Sequence, residues 1–154
     1  MTLADELLAI ATDLARAAGD MALAGRKAGL HNVQTKSTAT DMVTEFDRAS
    51  EVFIVEGMRT ARPDDAIVGE EGASISGTSG ITWHIDPIDG TTNFLYDLPA
   101  WAVSIGASDA DGPLAGVVYI PALGEMFSAT RNGGAYLNGS PIRCNNITDV
   151  SQAL

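Results

Sequence analysis

Two aspartates, Asp86 and Asp89, stand three residues apart in the stretch WHIDPIDGTTNF, residues 83–94. The apolar residues ahead of Asp86 are typical of a buried strand, where a carboxylate is costly unless a partner satisfies it. Further acids, Glu70 and Glu71, follow the preceding strand-like segment. Adjacent strands would bring both strand ends to one edge of a sheet. Carboxylates that meet there repel one another unless a divalent cation neutralises them.

The residues around this pair suggest which cation and which second ligand would bind. All-oxygen ligands favour a hard cation, Mg²⁺ before Zn²⁺ or Cu²⁺. Pro87 would stiffen the bend, and the backbone carbonyl of Ile88 is a further candidate ligand. Gly90, Thr91 and Thr92 are typical of a helix N-terminus or nest, whose free N–H groups suit an anion. A cation beside a cradle of amides describes a phosphate site.

The same residues also fit a plainer interpretation. Asp-Pro and Asp-Gly are common turn dipeptides, and Glu70-Glu71 by itself is typical of a solvated loop. An EF-hand is excluded, because its loop needs acids at alternating positions and a closing glutamate. From residue types and spacing alone, a metal site and an ordinary acidic turn both remain open.

Composition and charge limit the classes of partner. The chain has 154 residues, which predicts one domain, and 20 acidic against 9 basic residues give a net charge of −11. Nucleic-acid affinity depends on clustered Lys and Arg, so direct nucleic-acid binding is not expected. A phosphorylated substrate stays compatible with this charge, because bound Mg²⁺ reverses its sign locally.

The N-terminus and the cysteine count predict a cytoplasmic protein without a membrane segment. Residues 1–20 lack a basic n-region, and acids interrupt their apolar residues, so no secretory signal is expected. No apolar run approaches membrane-spanning length. The single cysteine, Cys144, forms no internal disulfide and suits a reducing compartment.

Two helices are predicted before the acidic motifs. Apolar residues recur at three- and four-residue steps from Leu3 to Met21, with Thr2 as N-cap and Gly25 and Gly29 ending the helix. A second helix is predicted from about Thr44 to Ala61, stopped by Pro63. Its inward residues are predicted to be Phe46, Ala49, Phe53 and Met58.

A set of strands is predicted after the helices. The segments DAIVGEE, ITWHID, WAVSIGASD, LAGVVYIP and GEMFSATR are separated by turn signals. Asn138-Gly139 predicts a tight hairpin. Two helices followed by mainly antiparallel strands indicate an α+β fold.

The order of these motifs resembles that of one family. The strings VTEFD, IVGEEG, WHIDPIDGTTNF, LPAWAVSIG, GVVY and GGAYLNG, between Lys36 and the end of the chain, are similar to motifs of the inositol monophosphatase family. These are Mg²⁺-dependent, lithium-sensitive phosphatases. The resemblance implies a layered αβαβα sandwich and hydrolysis of a small phosphate monoester, such as an inositol monophosphate, by a metal-activated water.

The resemblance also implies roles for individual residues. Glu70, Asp86 and the Ile88 carbonyl would bind one metal ion, and Asp86 and Asp89 would share a second. The Gly90 and Thr91 amides would hold the phosphate. Glu70 and Thr91, with Asp47 behind the threonine, would position and deprotonate the attacking water. Lys36 and Asp41 match a strip near the site, or else form an exposed ion pair.

One departure from the family concerns length. Family members are longer, and their second half supplies a further metal-binding aspartate in a Trp-Asp-x-Ala-like motif, which is absent here. The sequence therefore predicts that residues 1–154 form a single domain, the N-terminal part of such a phosphatase. On its own this part would bind the second metal weakly and turn over poorly.

Several alternatives stay open within and outside this chemistry. The same core serves histidinol phosphate, fructose 1,6-bisphosphate and 3′-phosphoadenosine 5′-phosphate. The ending Thr92-Asn93-Phe94 looks more like the inositol branch than the nucleotide branch. A non-enzymatic protein-binding module and a catalytically impaired fragment are the other readings. The resemblance suggests a homodimer for the full-length form.

Overall fold

The computed structural model describes residues 1–29 and 39–152, without the side chains of residues 39–44. The helices are α1 (Leu3–Gly29), α2 (Ala39–Ala61) and α3 (Thr91–Leu95), with a 3₁₀ turn at Val150–Gln152. The strands are β1 (Ala66–Gly69), β2 (Ser74–Ile75), β3 (Thr82–Asp89), β4 (Ala102–Asp109), β5 (Gly112–Ile120), β6 (Glu125–Thr130), β7 (Gly134–Leu137) and β8 (Ser140–Ile142).

All eight strands form one sheet in the order β2-β1-β3-β4-β5-β6-β7-β8. β1 and β3 run parallel, and every other neighbouring pair in the described sheet is antiparallel. The predicted α+β class is therefore confirmed. The predicted hairpin is also confirmed, since Asn138 (φ 48°) and Gly139 (φ 79°) both take the positive φ values of a type I′ turn.

α1 begins as predicted, and of the two glycines predicted to end it, only Gly29 does so. The Asp5 N–H donates to Thr2 Oγ at 3.2 Å, and the Thr2 N–H donates to Asp5 Oδ2 at 2.8 Å, which is a reciprocal N-terminal cap. The helix ends at Gly29 but passes through Gly25. A Cβ on Gly25 would lie 2.5 Å from the Phe46 ring of α2. Gly25 is therefore a close-packing position, and its prediction as a helix end was wrong.

α2 ends at Ala61 as predicted but begins at Ala39, before the predicted start at Thr44. Met58 is fully buried, whereas Ala49 and Phe53 are exposed, so their prediction as inward residues was wrong. The buried stripe consists of Asp47, Ser50, Glu51, Ile54 and Met58. These residues recur at helical spacing. Two acids occupy inward positions that apolar residues were expected to fill.

The core lies between the two long helices and one face of the sheet. Its members include Leu7, Ala11 and Ala15 from α1, Ile54 and Met58 from α2, and Trp83, Ile85, Val103, Ile105, Val117 and Tyr119 from the sheet. The opposite face of the sheet exposes Val68, Val118 and Ile142. Trp83 Nε1–H donates to buried Asp65 Oδ2 at 2.9 Å, which ties β3 to the segment after α2.

Within the described residues, no helix combines the length and the apolar character that a bilayer crossing needs.

Candidate functional site

The parallel pairing of β1 and β3 brings two acidic strand ends to one edge of the sheet. Gly69 pairs with Ile85 in the register of this pair. The Glu70 N–H then donates to the Ile85 carbonyl at 3.1 Å. Glu70 therefore follows the end of β1 beside Asp86, as the strand pattern predicted.

Asp86 carries a buried carboxylate oxygen, Oδ1, without a hydrogen-bond partner among the described residues. Its pKa is raised to about 7, first by burial and then by hydrogen bonding with Glu70 and by the charges of Glu70 and Asp89, while a backbone hydrogen bond from Ile88 acts in the opposite direction. A cation beside Oδ1 would offset each of the raising effects.

Asp47 lies on α2 and faces the same group of acids. The residue is 5% exposed, and its pKa is raised to about 7, with burial as the largest cause. The charges of Glu71, Asp86, Glu70 and Glu51, in that order, account for the rest of this rise. The site therefore gathers six carboxyl groups, those of Asp47, Glu51, Glu70, Glu71, Asp86 and Asp89. Full ionisation of this cluster is unfavourable without a positive partner.

A β-bulge separates Asp86 from Asp89. The register of β3 against β4 shifts between these two residues. Strict alternation would place residues three apart on opposite faces, with Asp89 on the core side. Instead Ile88 is 1% exposed and packs with Ala22 and Phe94, while Asp89 is exposed. The bulge therefore leaves both aspartates out of the apolar core.

The turn after β3 needs a glycine and uses the Ile88 carbonyl. Gly90 has φ 88°, in the left-handed region, and a Cβ there would lie 3.0 Å from the Ala100 carbonyl oxygen. It precedes α3 without a side-chain cap. Thr91 Oγ–H donates to the Ile88 carbonyl at 3.1 Å. Among the described hydrogen bonds, none joins Thr91 to Asp47, so the arrangement expected for that pair stays a proposal.

Aromatic packing anchors the short α3 helix. The Phe94 ring makes edge-to-face contacts with Trp101 (centroids 4.8 Å apart) and Phe46 (5.7 Å). The Arg26 guanidinium lies 5.5 Å from the Phe94 centroid and forms an ion pair with Asp97. Asn93 Nδ2–H donates to the Ala100 carbonyl at 2.6 Å. Asn93 and Phe94, whose identities suggested a substrate branch, thus have structural contacts in this fold.

A depression of about 440 Å³ opens beside the acids. Its lining includes Glu70, Asp86, His84, Ser104 and Gly106. A second depression, of about 430 Å³, lies farther along the same outer face of the sheet and is lined mainly by apolar residues, with no acid. Their volumes are nearly equal, so lining chemistry rather than size distinguishes the first as the candidate site.

The oxygen donors of the site are of the kind that a divalent cation prefers, but their positions do not form a complete set of metal ligands. Carboxylate and carbonyl oxygens suit Mg²⁺, and Asp86 Oδ1 is a buried oxygen without a hydrogen-bond partner among the described residues. Yet across residues 1–29 and 39–152, no group of three or more His, Cys, Asp or Glu side chains is arranged to hold a metal ion. Lys36 and the side chain of Asp41 lie outside the described residues.

Sequence reasoning missed Glu51 as a member of this cluster. It stands four residues after Asp47, so the helical period puts both on one face of α2. The signal that identifies Glu51 is therefore the four-residue spacing of two acids along α2, which apolar periodicity does not detect.

Comparison with known proteins agrees with this layout. The inositol monophosphatase family model matches residues 3–154. Inositol monophosphatase 1 of Solanum lycopersicum is 36% identical over 154 residues, which cover 97% of this chain and 56% of that protein. A histidinol-phosphatase of Chlorobaculum parvum is 38% identical, covering 94% and 55%. An Anabaena inositol monophosphatase structure gives a TM-score of 0.78 at 34% identity, covering 96% and 53%.

The chain spans about half the length of the curated relatives it matches. The match nevertheless runs through both helices, the sheet and the acidic turns that form the site, and it takes in nearly every residue of the sequence. On this extent of agreement, the chain belongs to the inositol monophosphatase family.

Proposed function

We propose that this chain carries the acidic half of the active site of a Mg²⁺-dependent phosphatase that hydrolyses a small phosphate monoester. The observation that supports it most directly is Asp86, a half-buried carboxylate with a raised pKa, acidic neighbours and an unpartnered oxygen. Membership of the family adds the reaction class.

In this proposal Glu70, Asp86, Asp89 and the Ile88 carbonyl are the residues that hold Mg²⁺. The bound ion would act as a Lewis acid toward phosphate oxygens and make water more acidic. Asp86 serves as the central ligand, because its carboxyl group interacts with those of both Glu70 and Asp89. The Thr91 hydroxyl donates a hydrogen bond to the Ile88 carbonyl and so holds that carbonyl at the start of α3.

Catalytic roles then fall to residues on both sides of the acids. Glu70 and Thr91 position and deprotonate the attacking water, and Asp47 orients the threonine from α2. The Gly90 and Thr91 amides hold the phosphate at the turn after β3. Support for the phosphate position comes from the positive φ of Gly90 and from the absence of a side-chain cap on α3 within the described residues.

The test is Mg²⁺-dependent phosphate release from inositol 1-phosphate, together with Mg²⁺ binding by calorimetry. Asp86→Asn and Asp89→Asn are expected to lower activity by about a hundredfold or more, because each removes a ligand of the ion that stabilises the transition state. Asp111→Asn, an exposed aspartate in the β4–β5 turn, is the matched control.

The outcomes separate metal binding from turnover. Mg²⁺ binding without phosphate release by the folded chain would contradict hydrolysis by this chain alone and leave the metal site standing. Asp86→Asn protein that binds Mg²⁺ like the wild type would refute the ligand assignment.

An inositol monophosphate is the substrate we propose, with histidinol phosphate or fructose 1,6-bisphosphate as the alternatives. The relatives include proteins named for inositol monophosphate and for histidinol phosphate at nearly equal identity. Discrimination therefore needs a panel of these esters with 3′-phosphoadenosine 5′-phosphate, compared by kcat/KM. An inositol phosphatase would favour inositol 1-phosphate by at least about tenfold.

Further properties of the proposed enzyme follow from the family resemblance and from the sequence. The resemblance suggests a lithium-sensitive homodimer in the full-length form, and the N-terminus and the single cysteine suggest a cytoplasmic location. The net charge of −11 disfavours direct contact with nucleic acid or an anionic membrane surface.

A further inference from the structure

Glu51 is a buried acid with both carboxylate oxygens engaged. The residue is 6% exposed and lies on α2, one turn after Asp47. Its Oε2 accepts the Glu71 N–H at 2.8 Å, and its Oε1 accepts the Ala73 N–H at 2.9 Å. Hydrogen bonds to an ionised acceptor are stronger than neutral ones. The Glu51 side chain therefore joins helix α2 to the β1–β2 turn by two hydrogen bonds.

The rest of the turn is held by the sheet at its ends. The Gly69 N–H donates to the Ala73 carbonyl at 2.8 Å, and the Glu70 N–H donates to the Ile85 carbonyl at 3.1 Å. The middle of the turn includes Gly72, whose φ is 113°. The sheet thus fixes where the turn begins, whereas Glu51 fixes the course of the backbone directly after Glu70.

The fit between Glu51 and the turn leaves no spare room. A Cβ on Gly69 would lie 2.2 Å from Glu51 Oε2 and 3.0 Å from Ala73 Cβ. A side chain at residue 69 would therefore displace the carboxylate. The absence of a side chain at Gly69 makes the approach of Glu51 possible.

We propose that Glu51 is a positioning residue that fixes the Glu70–Ala73 turn and thereby sets the affinity of the site for Mg²⁺. This inference rests on the proposed function. We assign Glu51 to the turn rather than to the ion, because each of its oxygens accepts a backbone N–H from that turn. Its effect reaches the ion through Glu70, whose side chain it keeps beside Asp86.

The test compares Glu51→Gln with Glu56→Gln, the same change at an exposed position on the same helix. The Gln amide nitrogen cannot accept, so one of the two turn N–H groups loses its acceptor. In metal-free protein, hydrogen exchange at the Glu71 or Ala73 amide is expected to speed up by at least about tenfold. The calorimetric Mg²⁺ affinity is expected to fall by about tenfold. Glu56→Gln is expected to change neither.

A second variant covers the case in which Glu51→Gln does not fold. Gly69→Ala keeps the Glu51 charge but pushes its carboxylate away from the turn, so the same two changes are expected.

Two results would overturn the inference. Faster exchange at these amides with wild-type Mg²⁺ affinity would show that the contact is structural only, and the proposed function would remain. A wild-type chain that binds no Mg²⁺ would remove the proposed function and this inference together.

Discussion

At the scale of single residues, Asp47 and Asp86 are acids that the fold keeps in an unfavourable environment. Both pKa values are raised to about 7, from an ordinary value of 3.8, with burial as the largest cause and neighbouring acids as the next. A fold that needed only stability would place apolar or paired residues at these positions. Their burial among like charges is therefore typical of a functional site.

This arrangement predicts how stability depends on pH without metal. Between about pH 4 and pH 7 the unfolded chain has released the protons of Asp47 and Asp86, whereas the folded chain keeps them. The free energy of unfolding is therefore expected to fall as pH rises through this window and to level off above it. Urea unfolding in the presence of EDTA across this range measures the fall.

Two comparisons test why the free energy of unfolding decreases with pH. Added Mg²⁺ should make this decrease smaller, because the cation favours the ionised carboxylates. The double variant Asp47→Asn/Asp86→Asn should lose most of it. An unchanged pH dependence in the double variant would show that other groups cause the effect.

At the scale of elements, apolar periodicity predicted α1, the main strands and the Asn138-Gly139 hairpin. For α2 it predicted the helix and its end at Ala61 but not its inward stripe, because that stripe carries Asp47 and Glu51, which apolar periodicity does not detect. It also missed β2, two residues that pair with the end of β1. The parallel β1–β3 pair mattered most for the site, since it brings the end of β1, and with it Glu70, beside Asp86.

The contact between α1 and α2 at Gly25 gives a prediction about packing. Gly25→Ala should improve helix propensity by about 1 kcal/mol, whereas forcing the Phe46 ring aside should cost about 1–3 kcal/mol. Phe46 also packs on Phe94, so it has little freedom to move. We expect a net loss of up to about 2 kcal/mol in the free energy of unfolding, measured in urea.

The control is the same change in a Phe46→Leu background. There the smaller side chain leaves room, and Gly25→Ala should be neutral or slightly stabilising. An equal loss in both backgrounds would contradict the steric explanation.

At the scale of the whole molecule, charge and exposed apolar surface act in opposite directions. The chain carries a net charge of −11, which keeps copies apart at low salt. The outer face of the sheet exposes apolar side chains, among them Val68, Val118 and Ile142. Large exposed apolar patches favour association.

Self-association of this chain is therefore expected to increase with salt. Salt screens the repulsion, since the Debye length falls from about 30 Å at 0.01 M to about 3 Å at 1 M. Sedimentation velocity at both ends of this range measures the change. Val118→Thr should reduce association at high salt, while Val52→Thr, an exposed position on α2, should not. A monomer at every salt concentration would contradict the expectation that the outer face of the sheet drives self-association.

At this scale the sequence identified the family and the fold class but not how close the acids of the proposed metal site lie to one another. The order of the acidic motifs sufficed for the family, because strand ends and turns determine where those residues lie. How close the carboxylates approach depends on the Glu51 contacts and on the bulge in β3. Both depend on distances between elements far apart in the chain.

The β3 bulge has a consequence for how such sequences can diverge. Because the extra residue between Asp86 and Asp89 reverses which side of the strand the following residues take, substitution and deletion have different effects there. Replacing Pro87 alters one side chain. Deleting it would remove the extra residue and restore strict alternation, with Ile88 still on the core side and Asp89, now two residues after Asp86, still on the outer face. The segment can therefore lose this one residue and keep both aspartates out of the core, whereas a regular strand of the present length would turn Asp89 inward.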